Sequence, residues 1–211
     1  MTRRILHDEY FNKAKAEGYR ARSAYKLIEI CDRFNLISRG SRVLDLGCSP
    51  GAWLQVAAER VGQKGHVVGI DLQETRPGLP PNAVAIQGDV YTDVAALLAS
   101  ALSANAQPDD TDAKPAKTAR AAFDVIISDM APDTTGHGDD YVSARLCWRV
   151  LELVPTLLRP GGNLTMKIFE GADYSEVLRE TRTLFKTTKG FKPKASRDAS
   201  REMYIIGVGR L

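Results

Sequence analysis

Cysteine is scarce in this chain. Its 211 residues include Cys31, Cys48 and Cys147 and no other cysteine, and no two of them form a C-x-x-C pair. An odd, scattered set excludes a disulfide framework and a structural zinc site, and it points to a reducing compartment. Cys48 lies in a glycine loop, where a small packed thiol is the expected role. Histidine is equally sparse: His7, His66 and His137 stand far apart, so neither a metal cluster nor a catalytic triad is indicated. No apolar run approaches the ~20 residues needed to span a bilayer. The N-terminus lacks an apolar signal core, and Asp8 and Glu9 count against a transit peptide. The expectation is a cytoplasmic protein without a metal ion. Also missing is the dinucleotide fingerprint G-x-G-x-x-G, because Ser49 and Pro50 stand inside the first glycine loop. That counts against a dehydrogenase.

Charge is present in both signs but unevenly placed. The formal net charge is +3. Met1 to Lys26 carries 7 basic and 3 acidic residues, and Arg179 to Leu211 carries 9 and 3. The middle of the chain is therefore net negative. Two basic ends on an acidic body suggest a surface for a polyanion, although two ordinary solvated segments would look the same.

The chain is organised around Arg42-Val43-Leu44-Asp45-Leu46-Gly47-Cys48-Ser49-Pro50-Gly51-Ala52-Trp53. It reads as a short buried strand, a glycine turn and the start of a helix, the nucleotide-binding element of doubly wound α/β proteins. Without a pyrophosphate fingerprint, the fitting cofactor is S-adenosylmethionine. Residues 1–22 read as a basic, partly helical arm. From Ser23, a possible N-cap, to Phe34 the apolar residues recur at helical spacing, with Lys26 beside that face. His66 to Asp71 is a second strand ending in an acid placed either for ribose hydroxyls or for capping. Ala83 to Gln87 is a third. Asp89 follows, suited equally to an adenine amino group or to capping a helix near Tyr91. Ser103 to Arg120 has no apolar periodicity and reads as a polar surface insertion in the single domain 23–211. Phe123 to Asp129 is strand four. The loop after it holds Asp133 and Gly136-His137-Gly138, and a helix from about Tyr141 to Leu158 is stopped by Pro160-Gly161-Gly162. In strand five, Asn163 to Phe169, Lys167 interrupts an apolar run, and a buried lysine is costly unless paired. A helix from Asp173 to Phe185, a basic strand near Lys192 and a strand from Met203 to Val208 complete the pattern, with Glu202 at the entrance of the last.

At this point several ordered motifs coincide with one family. Arg20-Ala21-Arg22-Ser23-Ala24-Tyr25-Lys26-Leu27, Asp45 to Trp53, Ser128-Asp129-Met130-Ala131-Pro132, Pro160-Gly161-Gly162 and Ser200-Arg201-Glu202-Met203-Tyr204 resemble the FtsJ family of RNA ribose 2′-O-methyltransferases, from about Tyr10 to Arg210. The resemblance implies a Rossmann-like sheet of seven mostly parallel strands, the last antiparallel, with helices on both faces. It also implies a catalytic tetrad of Lys26, Asp129, Lys167 and Glu202. S-adenosylmethionine would meet Gly47, Gly51, Trp53, Asp71, Asp89 and Asp129. Departures are small: Ala52 replaces a common glycine, and Asp133 stands where Asn is usual.

The implied activity is methylation of a ribose 2′-oxygen, of a uridine in large-subunit ribosomal RNA, by a monomer with Lys167 as general base. Lys26 would polarise the oxygen, Asp129 would position the lysine and the methyl donor, and Glu202 would hold the lysines in register. RNA would be gripped by Arg20, Arg22, Lys192, Lys194, Arg197 and Arg201, provided the two ends meet in space. The substrate could be RNA free or within the large ribosomal subunit. The alternatives are a transfer RNA substrate, or an RNA-binding ribosome-assembly factor that holds the cofactor without turning it over. A small-molecule methyltransferase would leave the basic ends without a task.

Overall fold

The computed structural model describes residues 2–92, 94–104, 123–132, 138–197 and 200–211. Most of the 103–120 insertion, Asp133, Gly136 and His137 lie outside the described residues. The elements run in the order α1 (Thr2–Ala16), α2 (Ala24–Phe34), β1 (Arg42–Leu46), α3 (Ala52–Val61), β2 (His66–Asp71), β3 (Ala83–Gln87), α4 (Val94–Ala104), β4 (Phe123–Ser128), α5 (Asp139–Leu157), β5 (Leu158–Phe169), α6 (Tyr174–Leu184), β6 (Phe185–Phe191) and β7 (Glu202–Arg210). They build one seven-stranded sheet of order β3-β2-β1-β4-β5-β7-β6. β7 runs antiparallel to both of its neighbours, and the other pairings are parallel.

The central strands are apolar on both faces because both faces are covered. Leu44, Leu46, Val68, Ile70 and Ile126 pack into one core with residues of α4, α5 and α6. Val43, Val67, Val125 and Ile127 face the other way, against α2 and α3. Each such side chain, fully buried, contributes about 1.5–3 kcal/mol relative to exposure. Among the described residues no helix is long and apolar enough to cross a membrane.

Three local expectations are corrected. Pro160-Gly161-Gly162 does not separate α5 from a later strand, because β5 already begins at Leu158. Its pairing with β4 shifts register between Phe123 and Val125, and that irregularity accommodates the extra residues. Ser23 precedes α2 but makes no side-chain cap bond; its carbonyl instead accepts the Trp53 indole N–H at 3.0 Å. The helix expected near Tyr91 starts at Val94, since Asp89 first folds a turn.

Candidate active site

Strand register assembles the site. Leu46 pairs with Ile70 and with Ser128, Ser128 with Met166, and Lys167 with Tyr204. One step onward along each strand, Asp71, Gly47, Asp129, Lys167 and Tyr204 therefore fall in one row across the carboxyl ends of the parallel strands, where open α/β sheets bind their ligands. Gly47 and Asp129, 82 positions apart in the chain, thus become neighbours through backbone pairing alone.

Both lysines are buried, Lys26 at 6% and Lys167 at 7% exposure. Neither snorkels to solvent. Lys26 Nζ donates to Glu202 Oε2 at 2.7 Å and lies 5.9 Å from the centre of the Tyr204 ring. Lys167 Nζ meets Asp129 twice, at 2.5 Å to its carbonyl and 3.1 Å to Oδ1. The tetrad thus forms two ion pairs on either side of Tyr204. Sequence reasoning assigned Tyr204 no role, because an aromatic in a strand is unremarkable. Its hydroxyl donates to Asp129 Oδ1 at 2.6 Å, and its ring stacks on Trp53 with centroids 5.8 Å apart. Burial, with the Asp129 carboxylate beside it, raises the Tyr204 pKa well above its usual value, which keeps it a hydrogen-bond donor.

Next to this row is a cavity lined by Ser23, Gly47, Cys48, Ser49, Pro50, Ala52, Trp53 and Asp129. Gly47 (φ +80°) and Gly51 (φ +103°) take the left-handed backbone that side chains disfavour. A Cβ on Gly47 would collide with Met130, and one on Gly51 would press Arg20, Leu79 and Thr75 at 3.1–3.2 Å. Backbone conformation and crowding thus both call for glycine at these two positions of the turn. Asp71 accepts the Ser49 and Gln73 amides, one on each oxygen, at 2.8 Å. Asp89 accepts the Tyr91 amide at 2.9 Å on Oδ1. Both acids thus hold turns rather than cap helices, and each carboxylate keeps lone pairs for hydroxyl or amino donors. Glycine cradle, acceptors at two strand tips and Asp129 beside a cation's place fit S-adenosylmethionine. Cys48 is buried as expected, and burial lifts its thiol to about 12.

Asp45 was also missed. It is fully buried beneath the glycine turn, and neither carboxylate oxygen has a hydrogen-bond partner among the described residues. An acid within an apolar strand was the available signal, as for Lys167. Burial, then the Asp129 and Asp71 charges, push its pKa well above the carboxylate range. A raised folded-state value gives stability that is fully present below the unfolded value of ~3.9 and is lost as pH rises through the folded value. Asp45→Asn removes the titration. Melts of the free protein should show the wild type losing stability relative to the variant as pH rises from about 4; parallel profiles would refute a protonated Asp45.

The basic ends do meet. Arg22 donates to the Ala195 carbonyl at 3.3 Å, the Lys194 amide donates to Glu29 at 2.8 Å, and Ala14, Tyr25 and Ala195 pack together with Tyr10. Burial and the neighbouring Arg197 charge lower the Arg22 pKa. Lys192 holds the Ser200 carbonyl at 2.7 Å, while Lys194, Arg197 and Arg201 are exposed. Arg20 is half-buried. Its guanidinium is turned onto the carbonyls of Pro50, Arg76 and Pro77.

Comparison with known proteins agrees with this geometry. Residues 19–210 match the FtsJ-like methyltransferase model. The chain is 44% identical to ribosomal RNA large subunit methyltransferase E of Oleidesulfovibrio alaskensis, covering 96% of this chain and 91% of that protein. It is 43% identical to the protein of the same name in Syntrophobacter fumaroxidans, covering 96% and 95%. A crystal structure of a putative ribosomal RNA methyltransferase from Plasmodium falciparum superposes with a TM-score of 0.74 at 27% identity, covering 92% of this chain and 99% of that one. With a family match over residues 19–210 and relatives more than 40% identical over nearly its whole length, this chain belongs to the FtsJ-like methyltransferase family.

Proposed function

We propose that this protein methylates the 2′-oxygen of a ribose in large-subunit ribosomal RNA, a uridine, using S-adenosylmethionine. The observation that carries this reading is the meeting of Lys167 and Asp129 at the edge of the glycine cradle. The names of the relatives support ribosomal RNA as the substrate.

When bound, S-adenosylmethionine supplies a methyl group activated by its sulfonium charge. Gly47, Gly51, Trp53, Asp71, Asp89 and Asp129 would hold it. A ribose hydroxyl is a poor nucleophile until its proton has somewhere to go. A neutral lysine amine has two N–H donors and one lone pair. With both donors directed at Asp129, its carbonyl and Oδ1, the lone pair of Lys167 is left to take the 2′-proton. Lys26, anchored by Glu202, donates to the oxygen as negative charge builds on it. Alignment supplies about 7 kcal/mol or more of the barrier reduction. Arg22, Lys192, Lys194, Arg197 and Arg201 form the RNA-facing surface. Every group in the step comes from one chain, which supports a monomer as the acting unit.

The test incubates the protein and methyl-labelled cofactor with large-subunit RNA, intact large subunits and transfer RNA from cells lacking the gene. Digestion to nucleosides should place label in 2′-O-methyluridine of large-subunit RNA. Label confined to transfer RNA would overturn the substrate. Label on a base would overturn the chemistry, and RNA binding without label would leave an assembly factor.

A further inference from the structure

We infer that Arg20 is a positioning residue for the cofactor site: a clamp that holds the glycine turn and the loop after β2 in their binding shape. The inference rests on the cavity beside Gly47 taking S-adenosylmethionine. Its geometry is independent of RNA.

The residues before Arg20 are fixed first. From α3, Gln55 brackets this segment, its Oε1 accepting the Arg20 amide at 2.9 Å and its Nε2 donating to the Gly18 carbonyl at 3.0 Å. The Tyr19 hydroxyl donates to Glu59, also on α3, at 2.8 Å. The base of the Arg20 side chain is therefore tied to the helix that grows out of the glycine turn. From there Nη1 donates to Pro50 O at 3.0 Å and to Arg76 O at 2.8 Å, and Nη2 donates to Pro77 O at 2.8 Å.

These carbonyls lie in two segments. Pro50 is inside the cofactor turn, between Ser49, whose amide is held by Asp71, and Gly51. Arg76 and Pro77 open the run Arg76-Pro77-Gly78-Leu79-Pro80-Pro81. Its prolines have no N–H, so that run has few donors with which to hold itself. A planar guanidinium, with five donors in a fixed fork and no acceptor, can bind both segments at once. The closeness is visible at Gly51, whose Cβ position is 3.1 Å from Arg20 Nη1 and 3.2 Å from both Leu79 and Thr75. The clamp therefore presses the loop against the outside of the turn whose inside is the cavity. Freed of it, the turn and the loop would sample open shapes, and affinity would fall with the fraction that stays competent.

The experiment measures cofactor binding by calorimetry without RNA, and amide hydrogen exchange of the free protein, for the wild type, Arg20→Ala and Arg20→Lys. Loss of the clamp should raise the cofactor Kd about ten-fold, as when only a tenth of the molecules stay competent. Exchange should speed up in residues 47–51 and 75–79 and not in the β4 and β5 amides. Lysine should restore little, since a point charge cannot bridge both segments. In turnover assays the loss should fall mainly on the KM for cofactor and only slightly on kcat. Unchanged cofactor Kd with a raised KM for RNA would make Arg20 a phosphate contact and overturn the inference. Faster exchange across the whole sheet would make it a general scaffold residue and overturn it equally. A wild type that does not bind S-adenosylmethionine would instead overturn the cofactor reading, and the exchange pattern would still judge the clamp.

Discussion

Lys167→Ala should lower turnover by about 100- to 10,000-fold, the range that a positioned general base supplies, while cofactor affinity changes by no more than a few-fold. The separation follows from what the substitution leaves behind. Asp129 loses the Lys167 amine but keeps the Tyr204 hydroxyl at 2.6 Å, so the carboxylate beside the cavity is not orphaned. The cavity itself is lined by Asp129 and the glycine turn, not by the lysine. Lys167→Arg should fail as well, because a guanidinium does not give up its proton and has no lone pair to offer. Single-turnover rates with saturating cofactor and RNA, together with calorimetric cofactor affinity, check both. Near-normal turnover in Lys167→Arg would remove lysine as the base. Loss of cofactor binding in Lys167→Ala would make it part of the scaffold.

Glu202→Ala should be the most destabilising change in the tetrad. Lys26 has a nearly buried side chain, and its ion pair to Glu202 is 2.7 Å long. Removing the carboxylate strands an ammonium in the interior with the Tyr204 ring for company. Breaking a buried pair from one side costs about 3 kcal/mol, which for a chain of this size lowers the melting temperature by roughly 6–12 °C. The reverse change is gentler. Lys26→Met keeps most of the side-chain volume, and Glu202, the more exposed partner at 21%, can rehydrate. Lys26→Met should therefore fold almost as well as the wild type yet turn over slowly. Adding Lys26→Met to Glu202→Ala should recover much of the lost stability. Urea unfolding of the two single variants and the double variant reads the asymmetry directly. Equal stability of Glu202→Ala and wild type would mean that the pair contributes nothing to the fold.

Much of this protein is determined by local chemistry, and so was legible in one dimension. Short apolar runs placed β1, β2 and β4 within about a residue of their observed limits, because a strand buried on both faces leaves a continuous apolar signature. Lys167 announced itself because a charge inside such a run must be paired or removed from water. The spaced motifs around Lys26, from Asp45 to Trp53, around Asp129, at Pro160-Gly161-Gly162 and around Glu202 carried the resemblance to the family. What one dimension could not hold was partnership. Asp71 and Asp89 were each read as either binding or structural, and the structure shows the structural bonds made with lone pairs to spare. Tyr204 was invisible because its role depends on lying opposite Lys167 across two antiparallel strands, a register set by long-range pairing. Arg20 was read by its charge, as basic residues near a basic terminus invite, while its partners lie 30 and more positions away in loops. Composition and local pattern thus determined the elements and which charges needed explaining, and the family came from the resemblance of the spaced motifs. Only the packed sheet decided which charge meets which. A side chain's partner is chosen by the energy of desolvating it at its final position, and that position exists only once the strands are in register.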